Sequence, residues 1–255
     1  DPARMLEMSS AALAESTGRS QSSVVKFSQK LGYAGYQQLK MAVTTARAME
    51  WHPPGGMIHG SIDVNDNHMT VVQKLISSKL LSMRESAAAN SEEAINAALE
   101  HLVRARKLLL AGVGASSLVA EDFSYKLLKL GRTVLLNRDN HIQISNASPL
   151  GAGDTVMALS YSGRSVETLR IAELAKQRGA TVISVTGLQS NPLAEVADVN
   201  LYTVADEDRV RSSAITARDA QLMLMDLLFI LLLRHQSDAN DYIHNSEGAV
   251  SVLKV

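Results

Sequence analysis

Three serines fall within six residues in Ser160-Tyr161-Ser162-Gly163-Arg164-Ser165, between an apolar run at 156–159 and a stretch with helical spacing. Such a turn gathers hydroxyls beside the free N–H groups of a helix start, where the positive dipole end favours an anion such as phosphate. One turn of this kind also serves as an ordinary strand-to-helix connection with Ser165 as N-cap. A second turn, Gly112-Val113-Gly114-Ala115-Ser116-Ser117, tips the balance, because it too follows an apolar run. Ligands of open parallel sheets sit outside the C-terminal strand ends. Both turns lie at such ends, so Ser116, Ser117, Ser160, Ser162 and Ser165 are expected to converge on one anion. A dinucleotide site would need Gly-x-Gly-x-x-Gly and an acid about 20 residues on. Here Ser117 replaces the third glycine and 133–136 carries no acid, so no nicotinamide cofactor is expected.

The elements that must hold these turns alternate. Apolar runs at 108–113, 133–136, 155–160, 181–185 and 199–204 read as strands. Between them come a helical stripe of Phe123, Leu127 and Leu130 and another of Val166, Leu169, Ala172 and Ala175 that Gly179 ends. Continuous apolar strands separated by helices predict an α/β fold with a doubly wound parallel sheet. Ahead of it, 66–89 reads as one long helix, and Ser91-Glu92-Glu93 opens another with acids in its first turn. Residues 214–234 and 241–253 read as C-terminal helices. Paired prolines and glycines make 52–62 a linker.

The 255 residues are 46% hydrophobic and 20% charged, as in globular proteins that bury a core. A net charge of -1 gives no global polyanion signal, so any nucleic-acid contact must come from a local patch. The absence of cysteine removes disulfides and thiolate metal sites and agrees with a cytoplasmic protein. No histidine pair has helical metal-ligand spacing, and no metal is expected. The apolar run at 227–233 is far short of the roughly 20 residues that span a bilayer, so no membrane partner is expected. The chain opens on Asp1-Pro2-Ala3-Arg4, without a start methionine or signal-peptide core, and a helix begins near Met5. A longer parent chain is expected.

Residues 9–31 divide into two short helices around Thr17-Gly18-Arg19. Leu13 and Ala14 supply the apolar face of the first; Val24, Phe27 and Leu31 supply that of the second, with Ser20 as its N-cap. Arg19, Gln21, Ser22, Ser23 and Lys26 then face outward as short donors and cations suited to base edges and phosphates in a major groove. A polar face kept for solubility alone accounts for the same pattern. Residues 1–50 hold six Lys/Arg against four Asp/Glu, a weak positive patch.

Over about 91–235 the loop Ser160, Ser162, Gly163, Ser165 and Glu167, with its upstream glycine-serine turn, resembles the sugar isomerase (SIS) domain, whose loop holds the phosphate of a phosphosugar. Together with Leu13-Ala14, Gly18, Ser20, Val24, Phe27 and Leu31-Gly32, it resembles the RpiR family of bacterial transcriptional regulators. The resemblance implies an all-α helix-turn-helix head at 1–51, a linker and connecting helix at 52–90, and a flavodoxin-like SIS domain with flanking helices at 91–255. It implies operator DNA and a hexosamine 6-phosphate as partners, N-acetylmannosamine 6-phosphate being the best match, with His141 and Glu207 as candidate sugar contacts. The alternative is a phosphosugar isomerase or lyase, because Glu207-Asp208-Arg209-Val210-Arg211-Ser212 resembles the segment that supplies the base in aminosugar isomerases. A helix-turn-helix is what such an enzyme would not need, so no catalytic residue is assigned. Leu222, Leu224, Leu227, Leu228, Ile230 and Leu231 cover more of one helix than a single contact uses, and a homodimer or dimer of dimers is expected.

Overall fold

The computed structural model describes residues 8–33, 35–40, 43, 56–205, 207, 212–251 and 253. The chain divides into two compact units, Asp1–Pro54 and Gly55–Val255. In the first, α1 (Ser10–Ser16) and α2 (Gln21–Lys30) each begin on a serine whose hydroxyl accepts an N–H of the first turn, Ser9 from Ala12 and Ser20 from Ser23. Gly18, at φ 64°, makes the turn between them. Ala14, Val24 and Tyr36 form the small core, with Leu13 against it. The apolar stripe expected on α2 is corrected: Val24 and Ser28 are buried, while Phe27 and Leu31 are 58% and 51% exposed. Positions four apart share a ridge, and Ser28 is tolerated inside because its hydroxyl donates to the Val24 carbonyl at 2.9 Å.

In the second unit, residues expected to be linker fold as a hairpin of β1 (Met57–His59) and β2 (Ile62–Asp63), turned at Gly60; 52–55 lie outside the described residues. Then follow α3 (His68–Ala88), capped by Asn67, and α4 (Glu92–Arg104), capped by Ser91. The remaining elements are β3 (Leu108–Gly112), α5 (Ala115–Leu128), β4 (Val134–Leu135), α6 (Asn140–Ala147), β5 (Thr155–Leu159), α7 (Val166–Gln177), β6 (Thr181–Thr186), α8 (Pro192–Val196), β7 (Val199–Tyr202), α9 (Thr216–His235) and α10 (Ala239–Ser251).

The five strands β3 to β7 form one parallel sheet in the order β4-β3-β5-β6-β7. This is the doubly wound, flavodoxin-like order, with its switch point between β3 and β5. Alternate strand residues feed opposite layers. Leu108, Leu110, Met157, Leu159, Ile183 and Val185 pack with α4, α5 and α9. Leu109, Ala111, Val156, Ala158 and Val182 pack with α6, α7 and α8. At the opposite end of the strands from the turns, Arg106 forks onto the buried Asp154 at 3.1 Å and holds its carboxyl below the usual range. The α7 stripe also differs from expectation: Thr168, Ile171, Ala172 and Ala175 are buried, and Val166 is exposed. No helix among the described residues is long and apolar enough to cross a membrane.

Candidate functional site

β3 and β5 run side by side and end in register, with Gly112 opposite Leu159. Each chain then turns into a helix across the top of the sheet. Gly112 has no room for a side chain, since a Cβ would lie 2.9 Å from the Ser116 carbonyl oxygen, so the first turn of α5 seats directly on the strand ends. The Ser160–Gly163 turn is pinned from several sides. Ser160 N donates to Val185 O at 3.0 Å, Gly187 N to Tyr161 O at 2.8 Å, and Leu193 N to Gly163 O at 3.2 Å.

Ser9, Ser20, Asn67, Ser91, Asp139 and Asn191 each cap their own helix. α5 and α7 differ. The N-cap of α5 is Gly114, which has no side chain to offer, and that of α7 is Ser165, whose hydroxyl lies 3.1 Å from the Ser160 hydroxyl instead of on its own helix. Two helix starts with no side-chain cap therefore face the same place, each with N–H donors to give.

Between them lies a cavity of about 130 Å³ lined by Val113, Ala115, Ser116, Ser160, Tyr161, Ser162, Ser165, Ala214, Ala217, Arg218 and Gln221. Ser116 and Ser160 are buried and Ser162 is exposed at the mouth. Gly163, at φ 63°, shapes the turn without lining the cavity. The far wall is the first turns of α9, which the sequence did not point to. Arg218 is half-buried and makes no ion pair among the described residues. Gln221 is 1% exposed and its Oε1 accepts from Ser116 Oγ at 3.2 Å. A signal existed: Gln221 is polar on the buried stripe of Ala217, Leu224 and Leu228. With donors, hydroxyls and one cation and no carboxylate in its lining, the cavity is built for an anion.

Three other predicted residues fall elsewhere. Ser117 donates to Gly114 O at 2.6 Å and lines a separate depression with Glu121, Leu136, Asn137 and Arg138. His141 lies in the first turn of α6, which Asp139 caps by accepting from His141 N and Ile142 N, and the histidine is exposed. Glu207 is buried, and its Oε1 accepts from Thr216 N at 2.5 Å, Thr216 Oγ1 at 2.9 Å and Ala217 N at 3.2 Å, so it caps α9 from outside the helix. His59 of the hairpin reaches the same region, with Nε2 3.9 Å from Glu207 Oε1 and Nδ1 3.1 Å from Ser212 Oγ. Asp208, Arg209, Val210 and Arg211 lie outside the described residues. No group of three or more His, Asp or Glu that could hold a metal exists among those described.

In the first unit Arg19, Gln21, Ser22, Ser23 and Lys26 are all exposed around the start of α2. Gln21 Nε2 donates to Ser10 Oγ at 2.9 Å, and the Ser22 and Ser23 hydroxyls each lie 2.8 Å from that of Ser20. These bonds fix the donor array, and Arg19 and Lys26 extend from it.

The family model for the helix-turn-helix domain, rpiR family, matches residues 1–50, and that for the SIS domain matches 101–231. The chain is 39% identical to an HTH-type transcriptional regulator of Escherichia coli K12, YfhH, itself uncharacterized, over 99% of this chain and 89% of that protein. Among solved structures it is similar to the Vibrio vulnificus NanR protein complexed with ManNAc-6P. That match has 24% identity and a TM-score of 0.73, covering 98% of this chain and 88% of that one. It is also similar to the sugar isomerase domain of an RpiR transcription factor from Sphaerobacter thermophilus, with 19% identity and a TM-score of 0.62 over 69% of this chain and 98% of that one. Both structural matches fall below 25% identity and speak to the fold.

Proposed function

The chain belongs to the RpiR family of helix-turn-helix transcriptional regulators with an SIS domain, and from that premise we propose that it senses a hexosamine 6-phosphate and adjusts its grip on operator DNA accordingly. The observation that carries this is the serine cavity at the switch point, where two uncapped helix starts, among them the Ser116 backbone N–H, and the hydroxyls of Ser160, Ser162 and Ser165 meet. Those groups suit the phosphate. N-acetylmannosamine 6-phosphate is our first choice of ligand, supported by the bound sugar in the NanR neighbour. A regulator of this kind works in the cytoplasm, beside the chromosome. Arg19, Gln21, Ser22, Ser23 and Lys26 are our candidate DNA contacts. The isomerase alternative needs Glu207 as a mobile base, and its Oε1 is bonded to the start of α9.

The ligand half is tested by thermal shift. A phosphosugar at about 100 times its dissociation constant contributes about 2.7 kcal/mol, which raises Tm by about 5–10 °C for a chain of this size. Ser160→Ala with Ser162→Ala is expected to abolish that rise, and an unchanged rise sinks the phosphate assignment. The DNA half is tested by fluorescence anisotropy on the gene's own upstream DNA. Binding is expected to weaken steeply with salt and to weaken further in Lys26→Ala. Salt-independent binding that Lys26→Ala leaves untouched rejects these residues as the DNA contact.

A further inference from the structure

Gln221 belongs to the serine cavity, yet the phosphate chemistry does not use it. Its amide is nearly inaccessible to solvent, and its Oε1 is engaged by the Ser116 hydroxyl. Its Nε2 is buried without a hydrogen-bond partner among the described residues. A buried amide nitrogen left unpaired costs about 1–3 kcal/mol, so a fold that keeps one on a residue lining a cavity has a use for it. The oxygen already accepts from Ser116 while both protons of the NH2 group are unused, so the amide's spare capacity is chiefly that of a donor. It projects from α9, the wall across from the Ser160–Ser165 turn, and Arg218, three residues earlier on the same helix, already brings positive charge to that wall.

We propose that Gln221 is a specificity residue: its Nε2 donates to a neutral oxygen on the sugar body of the bound phosphosugar, a hydroxyl or an acetamido carbonyl, while the serines and helix starts take the phosphate. This rests on the phosphosugar reading of the cavity. A neutral amide adds little to a dianion already beside a guanidinium, whereas a positioned donor discriminates strongly between sugars that do and do not present an acceptor there. Ser116 is then shared between the two ends of the ligand, its backbone N–H at the α5 start and its hydroxyl fixing the amide of Gln221.

The test uses the full chain and two probes, N-acetylmannosamine 6-phosphate and inorganic phosphate, titrated by calorimetry or by thermal shift. Gln221→Met keeps the length of the side chain and removes the donor. It is expected to weaken the sugar phosphate about tenfold, the effect of one lost hydrogen bond, and to leave inorganic phosphate within about twofold of wild type. Ser116→Ala is expected to weaken the sugar phosphate as well, because it frees the amide to turn. Should Gln221→Met melt early, Gln221→Glu, which preserves size and the acceptor for Ser116, is expected to lose more affinity for the sugar phosphate than for phosphate. Equal losses for the two probes, or none for either, overturn the proposal while the cavity remains a phosphate site. Wild-type protein that binds neither probe overturns the phosphosugar reading and this proposal with it.

Discussion

Gly163 has φ 63°, and a Cβ on it would sit 1.9 Å from Asn191 Oδ1, the atom that caps α8 by accepting from Ala194 N at 2.9 Å. Gly163→Ala therefore combines a left-handed backbone penalty of about 1–2 kcal/mol with overpacking of about 1–3 kcal/mol. A loss of about 2–5 kcal/mol in urea denaturation is expected, together with loss of the phosphosugar-induced thermal shift. Gly153 supplies the control, because it has φ 83° with open space around it, and Gly153→Ala should cost the backbone part alone. Equal costs at the two sites would show that Asn191 does not constrain the turn. Residues such as Gly163 and the serines are legible in sequence because their roles are local: each sits where a strand gives way to a helix. Gln221 is marked in sequence only as a polar residue on an apolar stripe, and its role is not legible, since its partner Ser116 lies 105 residues away and only the packing of α9 against α5 joins them. Glu207 is ambiguous in sequence for a related reason. An acid near a pocket and an acid capping a helix look alike until the N–H groups it accepts from are seen.

The five strands and their parallel sheet are visible as apolar runs, because strands such as β3, β5 and β6, buried on both faces, need no phase information. Amphipathic helices do need it. Val166, Leu169, Ala172 and Ala175 advance in steps of three, each step falls about 60° short of a full turn, and four such positions spread over half the helix circumference. They cannot all face inward, so α7 buries Thr168 and Ile171 instead. The short hairpin at 57–63 is missed because strands of three and two residues leave no periodicity to read. At this scale the element to probe is α9, whose own N-cap position, Ile215, offers no side-chain bond and leaves the work to Glu207. Glu207→Ala is expected to lower stability by about 1.5–3 kcal/mol, the range for hydrogen bonds to a charged group, and to loosen the wall holding Arg218 and Gln221. Glu207→Gln keeps an acceptor in the same place and should recover most of both. An enzyme that used Glu207 as its base would lose turnover equally in the two variants, so a phosphosugar isomerisation assay beside the melting curves separates a cap from a base.

For the molecule as a whole, the apolar surface of the α5 and α9 layer is larger than the chain covers by itself. Leu118, Tyr125 and Leu128 on α5 and Leu227 and Ile230 on α9 are exposed, although these two helices pack against each other. A face of this kind, on helices whose other sides fill the core, fits a two-fold contact between copies of the second unit. A dimer would also serve the DNA-binding unit, since reading one half-site leaves few base contacts, and two linked heads can engage half-sites about 34 Å apart or at multiples of that spacing. In such a dimer the linked second head would bind at a high effective concentration, so breaking the contact should lower operator affinity far more than it lowers the stability of the fold. Ile230→Glu tests this at a residue 54% exposed in the single chain. Its effect on monomer stability is expected to stay within about 0.5 kcal/mol, as for other surface substitutions. Light scattering should show the mass fall from two chains to one, and anisotropy should show operator binding weakened at least tenfold. A variant that keeps the wild-type mass and operator affinity would place the contact elsewhere. One that becomes monomeric yet binds operator as before would mean that a single head suffices.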